Sequence, residues 1–240
     1  MIYFLGIGPG DPELITVKAC RLLKEADVIY VPQSNEAGRS VAEKIIAPHA
    51  DTRKIQMAYT PMSKDQKVLS ANYTALARTM SDDAAKGRMV VYVTLGDNMI
   101  YSTSRYIGQC LSRMDVAHEF VPGVPSYVAA ANHTEISLAD HGENLLVVPM
   151  PTTSKAVAEL VHTHHTVFFM KVSMRTPALV EYVKTYKPEV AVLIHRLQLD
   201  GEEIIDLTRI DEAPENIGYL SMAIVKEEVS TNGDQAGIAG

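Results

Sequence analysis

The chain opens with a short apolar strand that breaks on three closely spaced glycines. Residues 1–6 run into Gly6-Ile7-Gly8-Pro9-Gly10-Asp11, and helical spacing follows over 12–25. Leu14, Ile15, Ala19, Leu22 and Leu23 share one side of that helix. Asp11 suits the capping position and Pro12 the first helical one. Strand, glycine turn and helix in this order open the dinucleotide-binding units, in which an anion sits on bare N–H groups at the helix start. The spacing departs from that pattern, because Asp11 stands where the third glycine belongs. Asp11 and Glu13 also put negative charge where a phosphate would dock. No Gly-Lys-Ser/Thr follows, so the loop is not a P-loop either. A ligand without phosphate and with a cationic centre fits this turn better. Taken alone, a plain capping role for Asp11 stays open.

The rest of the first half keeps the same rhythm. Strands are expected at 27–31, 53–58, 89–95 and 117–121, and helices at 39–47, 64–86 and 102–114. The stretch 89–95 is almost wholly apolar, as in a parallel strand covered on both faces. Alternation of this kind implies right-handed crossovers and a parallel sheet. After Pro122-Gly123 come a small helix at 126–133, strands at 145–148, 166–171 and 189–196, and helices at 154–162 and 177–186. The strands at 203–207 and 219–225 have no helix between them, which suggests antiparallel edges on a mixed sheet. The predicted fold class is therefore α/β with two α/β domains, an N-terminal parallel sheet and a C-terminal mixed one. The domains span 1–122 and 123–229, and 230–240, rich in Gly, Asn, Asp and Gln, reads as a disordered tail.

A second glycine turn follows the strand at 89–95, in Gly96-Asp97-Asn98-Met99-Ile100-Tyr101-Ser102-Thr103. In open α/β sheets, ligands bind outside the carboxyl ends of strands. Both glycine turns lie at such ends and can form one crevice. Ser102 and Thr103 add hydroxyls at a helix start, where an ordinary capping role is the alternative.

The net charge of −7 argues against a nucleic-acid partner, since such proteins usually carry a basic excess. No apolar run approaches the ~20 residues of a membrane span, and the N-terminus lacks a basic leader. Cys20 and Cys110 lie in helix-like segments without metal-ligand spacing, and read as reduced thiols of a cytoplasmic protein. His162, His164 and His165 gather at a helix end, a common place for cationic side chains, and no resident metal is expected.

Three motifs together resemble the tetrapyrrole (corrin/porphyrin) methylases: residues 6–16 the family's opening signature, Leu95-Gly96-Asp97 with Tyr101-Ser102-Thr103 its second motif, and Val121-Pro122-Gly123-Val124 its third. The resemblance covers roughly residues 1–229. Within the family, Tyr101-Ser102-Thr103, Val31-Pro32 and the ending at 219–225 resemble the branch that methylates precorrin-2 or cobalt-factor II at C20. Asn98 stands where the family usually has proline, and Pro125 where it has serine.

The resemblance implies S-adenosylmethionine as methyl donor, S-adenosylhomocysteine as product, and a tetrapyrrole substrate with or without cobalt. It implies a homodimer with its active site in the cleft between the two domains. Donor contacts are then expected from Pro9, from the backbone of Gly96, Asp97, Asn98, Met99 and Ile100, and from Ser102 and Thr103 beside them. Weaker counterparts in the second domain are Met170, Val172, Leu193, His195, Leu220 and Ser221. Asp11 and Tyr101 are the candidate catalytic residues. The substrate carries several carboxylates, for which Arg105, Lys171, Arg175 and Arg196 are the candidate partners. The competing readings are a sister methylase acting at another ring position or on uroporphyrinogen III, a non-catalytic binding homologue, and a methylase of a protein side chain or RNA ribose.

Overall fold

The computed structural model describes residues 1–33, 40–60, 63 and 65–227. The expected helix start at Arg39 and Lys64, and the tail at 230–240, lie outside the described residues. The fold divides into two compact units, Met1–Ala129 and Ala130–Gly240, and the division falls inside a helix.

In the first unit five strands are parallel. They are β1 (Ile2–Gly6), β2 (Val28–Gln33), β3 (Ile55–Tyr59), β4 (Val90–Thr94) and β5 (His118–Val121), in the order β3-β2-β4-β1-β5. The connecting helices are α1 (Val17–Glu25), α2 (Val41–Ile46), α3 (Gln66–Ala85) and α4 (Ser104–Arg113). Val90, Val91, Tyr92 and Val93 are all buried, as the unbroken apolar run requires of a central strand. Phe4 of β1 stacks on Phe120 of β5 at 4.8 Å and tilts against Tyr92 at 5.7 Å. After β1 the chain runs toward β2; after β4 it crosses to β5 on the other side. Adjacent strands whose connections diverge leave a crevice at their carboxyl ends.

The first helix is not the single element expected. Asp11 caps only a 3-10 turn, Pro12–Leu14, through Oδ1 and the Glu13 N–H (2.8 Å). Ile15 and Thr16 are extended, and α1 starts afresh with the Thr16 hydroxyl accepting from Ala19 N–H at 3.3 Å. A threonine that can cap stops the first turn from propagating. The glycine loop therefore does not open onto a full helix dipole.

One buried charge joins β2 to the end of α3. Asp83 accepts from the Tyr30 hydroxyl (2.8 Å), Lys86 Nζ (3.0 Å) and Arg88 (3.1 Å). The Tyr30 hydrogen bond, then that of Lys86, holds the carboxyl below its ordinary range. A depressed carboxyl contributes stability above its unfolded pKa and loses it as pH falls through the folded value. Asp83→Ala leaves the buried Tyr30 hydroxyl without this acceptor and should cost about 2 kcal/mol at neutral pH. Denaturant unfolding at several pH values should show the gap to wild type narrowing below about pH 4.

The second unit holds β6 (Leu145–Pro149), β7 (Thr166–Met170), β8 (Val190–His195), β9 (Glu203–Asp206) and β10 (Ser221–Lys226), in the order β6-β7-β10-β8-β9. Here α6 (Ser154–Val161) and α7 (Thr176–Tyr186) pack on the sheet, and α5 (Ser126–Thr134) is the helix in which the units divide. The sheet is mixed, as expected, but only β9 is an antiparallel edge. β10 lies in the middle, antiparallel to both β7 and β8. Its Ala223, Ile224 and Val225 are fully buried, so burial on both faces rather than alternation marks it. Among the described residues, no helix is long and apolar enough to cross a membrane.

Candidate functional site

At the carboxyl rim of the first sheet, the loops after β1, β4 and β5 meet backbone to backbone. Gly8 N–H donates to Gly96 O (3.3 Å) and Gly96 N–H to Gly8 O (2.8 Å), closing a two-bond antiparallel bridge. Both glycines have positive φ, +75° and +67°. That conformation costs other residues about 1–2 kcal/mol, which explains glycine at both places. Gly6 and Gly123 are needed for a different reason. A Cβ on Gly123 would lie 2.3 Å from Gly96 O, and one on Gly6 2.5 Å from Gly123 N. The two expected glycine turns thus share one edge, and a third turn joins them.

Side chains then lock the second turn. Asp97 accepts from Met99 N–H at Oδ1 (2.8 Å) and from Gly123 N–H at Oδ2 (3.0 Å). Asn98 is 1% exposed, and its amide donates to the carbonyls of Phe4 (3.1 Å) and Val121 (2.7 Å). Its side-chain nitrogen therefore clamps β1 and β5, while its Oδ1 is buried with no hydrogen-bond partner among the described residues. Ser104 continues the lock, its hydroxyl donating to Asn98 O (3.3 Å) and its N–H to Ser102 Oγ (3.1 Å). Met99 and Tyr101 are about half exposed, and Tyr101 sits at φ +49°. Thr103 forms the N-cap residue of α4, while Pro9 and Ile100 are partly exposed on their loops. Pro125 O accepts from Val128 and Ala129 N–H and starts α5.

The rim suits a cationic donor. A Cβ on Gly96 would meet only Ser126 N (3.8 Å) and Val124 O (3.9 Å), so the missing side chain leaves room bordered by backbone polar groups. Asp11 and Glu13 flank the first turn and would repel a phosphate, but cost a sulfonium little. The residues present therefore fit S-adenosylmethionine. Sequence reasoning placed Gly6 in the first glycine turn and Gly123 and Val124 in the third motif, but named none of them, nor Ser126, as a site residue. The glycine in the Pro122-Gly123 pair was the available signal.

In the second unit, the ends of β7 and β8 and the start of β10 share a rim. Val172 N–H donates to Ser221 O (3.2 Å), Ser173 N–H to Ser221 Oγ (2.6 Å) and Arg196 N–H to Leu220 O (2.8 Å). Met170, Val172, His195, Leu220 and Ser221 are thus neighbours. Val172 and Leu193 are fully buried in the core, so only their backbones could serve a ligand. His195 accepts from Gly218 N–H at Nε2 (3.2 Å), which puts the neutral ring's proton on Nδ1. Lys171 is exposed at φ +58°, and Arg196 sits at φ +56° with its Nε on Asp200 O at 2.5 Å. Arg175 is tied to the Met150 carbonyl, and Arg105 lies over the Tyr106 ring at 4.8 Å in the first unit. Of the four basic candidates, Lys171 and Arg196 flank one rim, and Arg196, Arg175 and Arg105 each have a structural contact. His162, His164 and His165 bond separately to Glu227, Leu160 O and Asn144.

Comparison with known proteins agrees on the family. The family model of tetrapyrrole (corrin/porphyrin) methylases matches residues 1–214. The chain is 30% identical to a probable cobalt-precorrin-2 C(20)-methyltransferase of Methanocaldococcus jannaschii, over 94% of this chain and 95% of that one. It is 31% identical to the cobalt-precorrin-2 C(20)-methyltransferase of Salmonella typhimurium, over 71% and 72%. Its fold resembles a uroporphyrin-III C-methyltransferase of Thermus thermophilus complexed with S-adenosylhomocysteine, at TM-score 0.64 and 23% identity over 94% and 97%.

Proposed function

We propose that this chain, which belongs to the tetrapyrrole (corrin/porphyrin) methylases, methylates precorrin-2 or cobalt-factor II at C20 in cobalamin biosynthesis. S-adenosylmethionine is the family's methyl donor and supplies an electrophilic methyl group. The observation that carries a donor site is the Gly8–Gly96 bridge, which gathers the family's motifs at one sheet edge. Support for the C20 position is the likeness to two relatives that bear that name.

In this reading the backbone at 96–100 holds the donor, and the locks from Asp97 and Asn98 keep it in one geometry. Holding the methyl carbon in line with a ring carbon can remove roughly 7–11 kcal/mol of barrier in favourable cases. Lys171 and Arg196 are proposed to take carboxylates of the ring. Asp11 keeps one carboxylate oxygen beyond its bond to Glu13, and is offered as proton acceptor ahead of Tyr101. The second-unit rim at Met170, His195, Leu220 and Ser221 is assigned to donor binding on the family resemblance.

The test uses donor carrying a carbon-13 methyl group with precorrin-2, cobalt-factor II and uroporphyrinogen III in parallel. Carbon NMR of the product should place the label at C20 of one of the first two rings. A label on another carbon, or on uroporphyrinogen III alone, favours the sister reading and sinks the C20 assignment.

A further inference from the structure

Away from this rim, three segments build a small nucleophile site. Cys20 of α1 is half-buried, whereas Cys110 is buried. The Cys20 Sγ lies 3.5 Å from Nδ1 of His49, a residue just beyond α2. The other ring nitrogen, Nε2, lies 3.0 Å from the Pro12 carbonyl oxygen, in the turn after the first glycine loop. A carbonyl oxygen can only accept, so Nε2 carries the proton of the neutral ring. Nδ1 is then the bare nitrogen, and the Cys20 thiol donates to it. Nucleophile, base and orienting group stand in one row, the arrangement that activates side-chain nucleophiles. Lys24, one helical turn on from Cys20, is exposed and favours an electrophile that carries carboxylates.

We propose that Cys20 is a site of reversible S-thiolation by small carboxylate-bearing disulfides, with His49 relaying its state to the Pro12–Leu14 turn. The Cys20 sulfur attacks one sulfur of the disulfide, and a new S–S bond forms as the old one breaks. The departing sulfur leaves with the electron pair as a thiolate. The Cys20 proton passes to His49 Nδ1 and from there to that thiolate. Cys20 is oxidised and the departing half reduced, so the disulfide is the only oxidant required. The product has no S–H to give His49. The ring keeps one tether instead of two, and its grip on Pro12 weakens. The inference stands whether or not the chain methylates a tetrapyrrole.

The experiment treats the intact protein with oxidised glutathione and follows adducts by mass spectrometry with peptide mapping. Wild type should gain one adduct, at Cys20, that dithiothreitol removes. His49→Gln keeps a donor for Pro12 O but has no basic nitrogen, and should react more slowly by on the order of tenfold. A peptide of residues 12–26, which lacks His49, should be slower by a similar factor and serves if His49→Gln does not fold. In the adduct, amide exchange over residues 8–14 should rise by about threefold or more, and Cys20→Ser treated alike should show no adduct. Equal rates in protein and peptide, an adduct on Cys110 formed as fast, or unchanged exchange over 8–14 would overturn the proposal.

Discussion

Gly123→Ala is expected to lower the thermal midpoint by about 6–12 °C and to abolish measurable S-adenosylmethionine binding. The added carbon would lie 2.3 Å from Gly96 O and 2.5 Å from Gly6 C. Both neighbours are backbone, so no side chain can rotate away. Relief requires that the segment after β5 move away from the ends of β1 and β4, which breaks the hydrogen bond from Gly123 N–H to Asp97 and frees the loop that this carboxylate holds. Overpacking usually costs 1–3 kcal/mol, and a clash of backbone on both sides belongs at about 3 kcal/mol or above. Gly87→Ala is the control. Gly87 also has positive φ, +80°, but nothing lies within 4 Å of its Cβ position. It should lose only the ~1–2 kcal/mol of left-handed strain and keep donor affinity. Equal effects of the two substitutions in scanning calorimetry would mean that close approach is not what Gly123 provides.

Asn98→Leu should cost about 3 kcal/mol and raise the donor Kd by more than about tenfold. The replacement nearly keeps volume but leaves the carbonyls of Phe4 and Val121 without the amide that joins them. Asn98→Asp should be worse at neutral pH. It turns an acceptor and a charge toward two acceptors in a site that is 1% exposed. The penalty should shrink in acid, where the new carboxyl takes a proton and can donate once. Chemical denaturation beside calorimetric titration separates the two effects. Loss of stability with unchanged donor affinity would show that the clamp supports the sheet without shaping the loop.

Much of the first unit was legible because its signals are local. An apolar run, a glycine turn and a helix period each occupy a few residues, and the covered strand shows at 90–93 as unbroken valine and tyrosine. What could not be read depends on where a side chain points or which distant strand it meets. Asn98 is expected to serve the donor through its backbone, and nothing local says where its side chain goes, because its partners lie 94 and 23 residues away in sequence. Thr16 falls inside the helical spacing of its neighbours, so nothing in the pattern announces that its hydroxyl restarts the helix. The central place of β10 follows from pairing with β7 and β8, and a short apolar stretch does not reveal its partners. Cys20 and His49 form their contact only through the packing of α1 against the segment after α2.

Calorimetric titration of the intact chain with S-adenosylmethionine, with NAD and ATP as parallel ligands, weighs the whole account. Saturable one-to-one binding of the sulfonium donor, none of either phosphate ligand, and loss of donor binding in Gly96→Arg are expected. Heat from NAD or ATP, or a wild-type chain that ignores the donor, would contradict it.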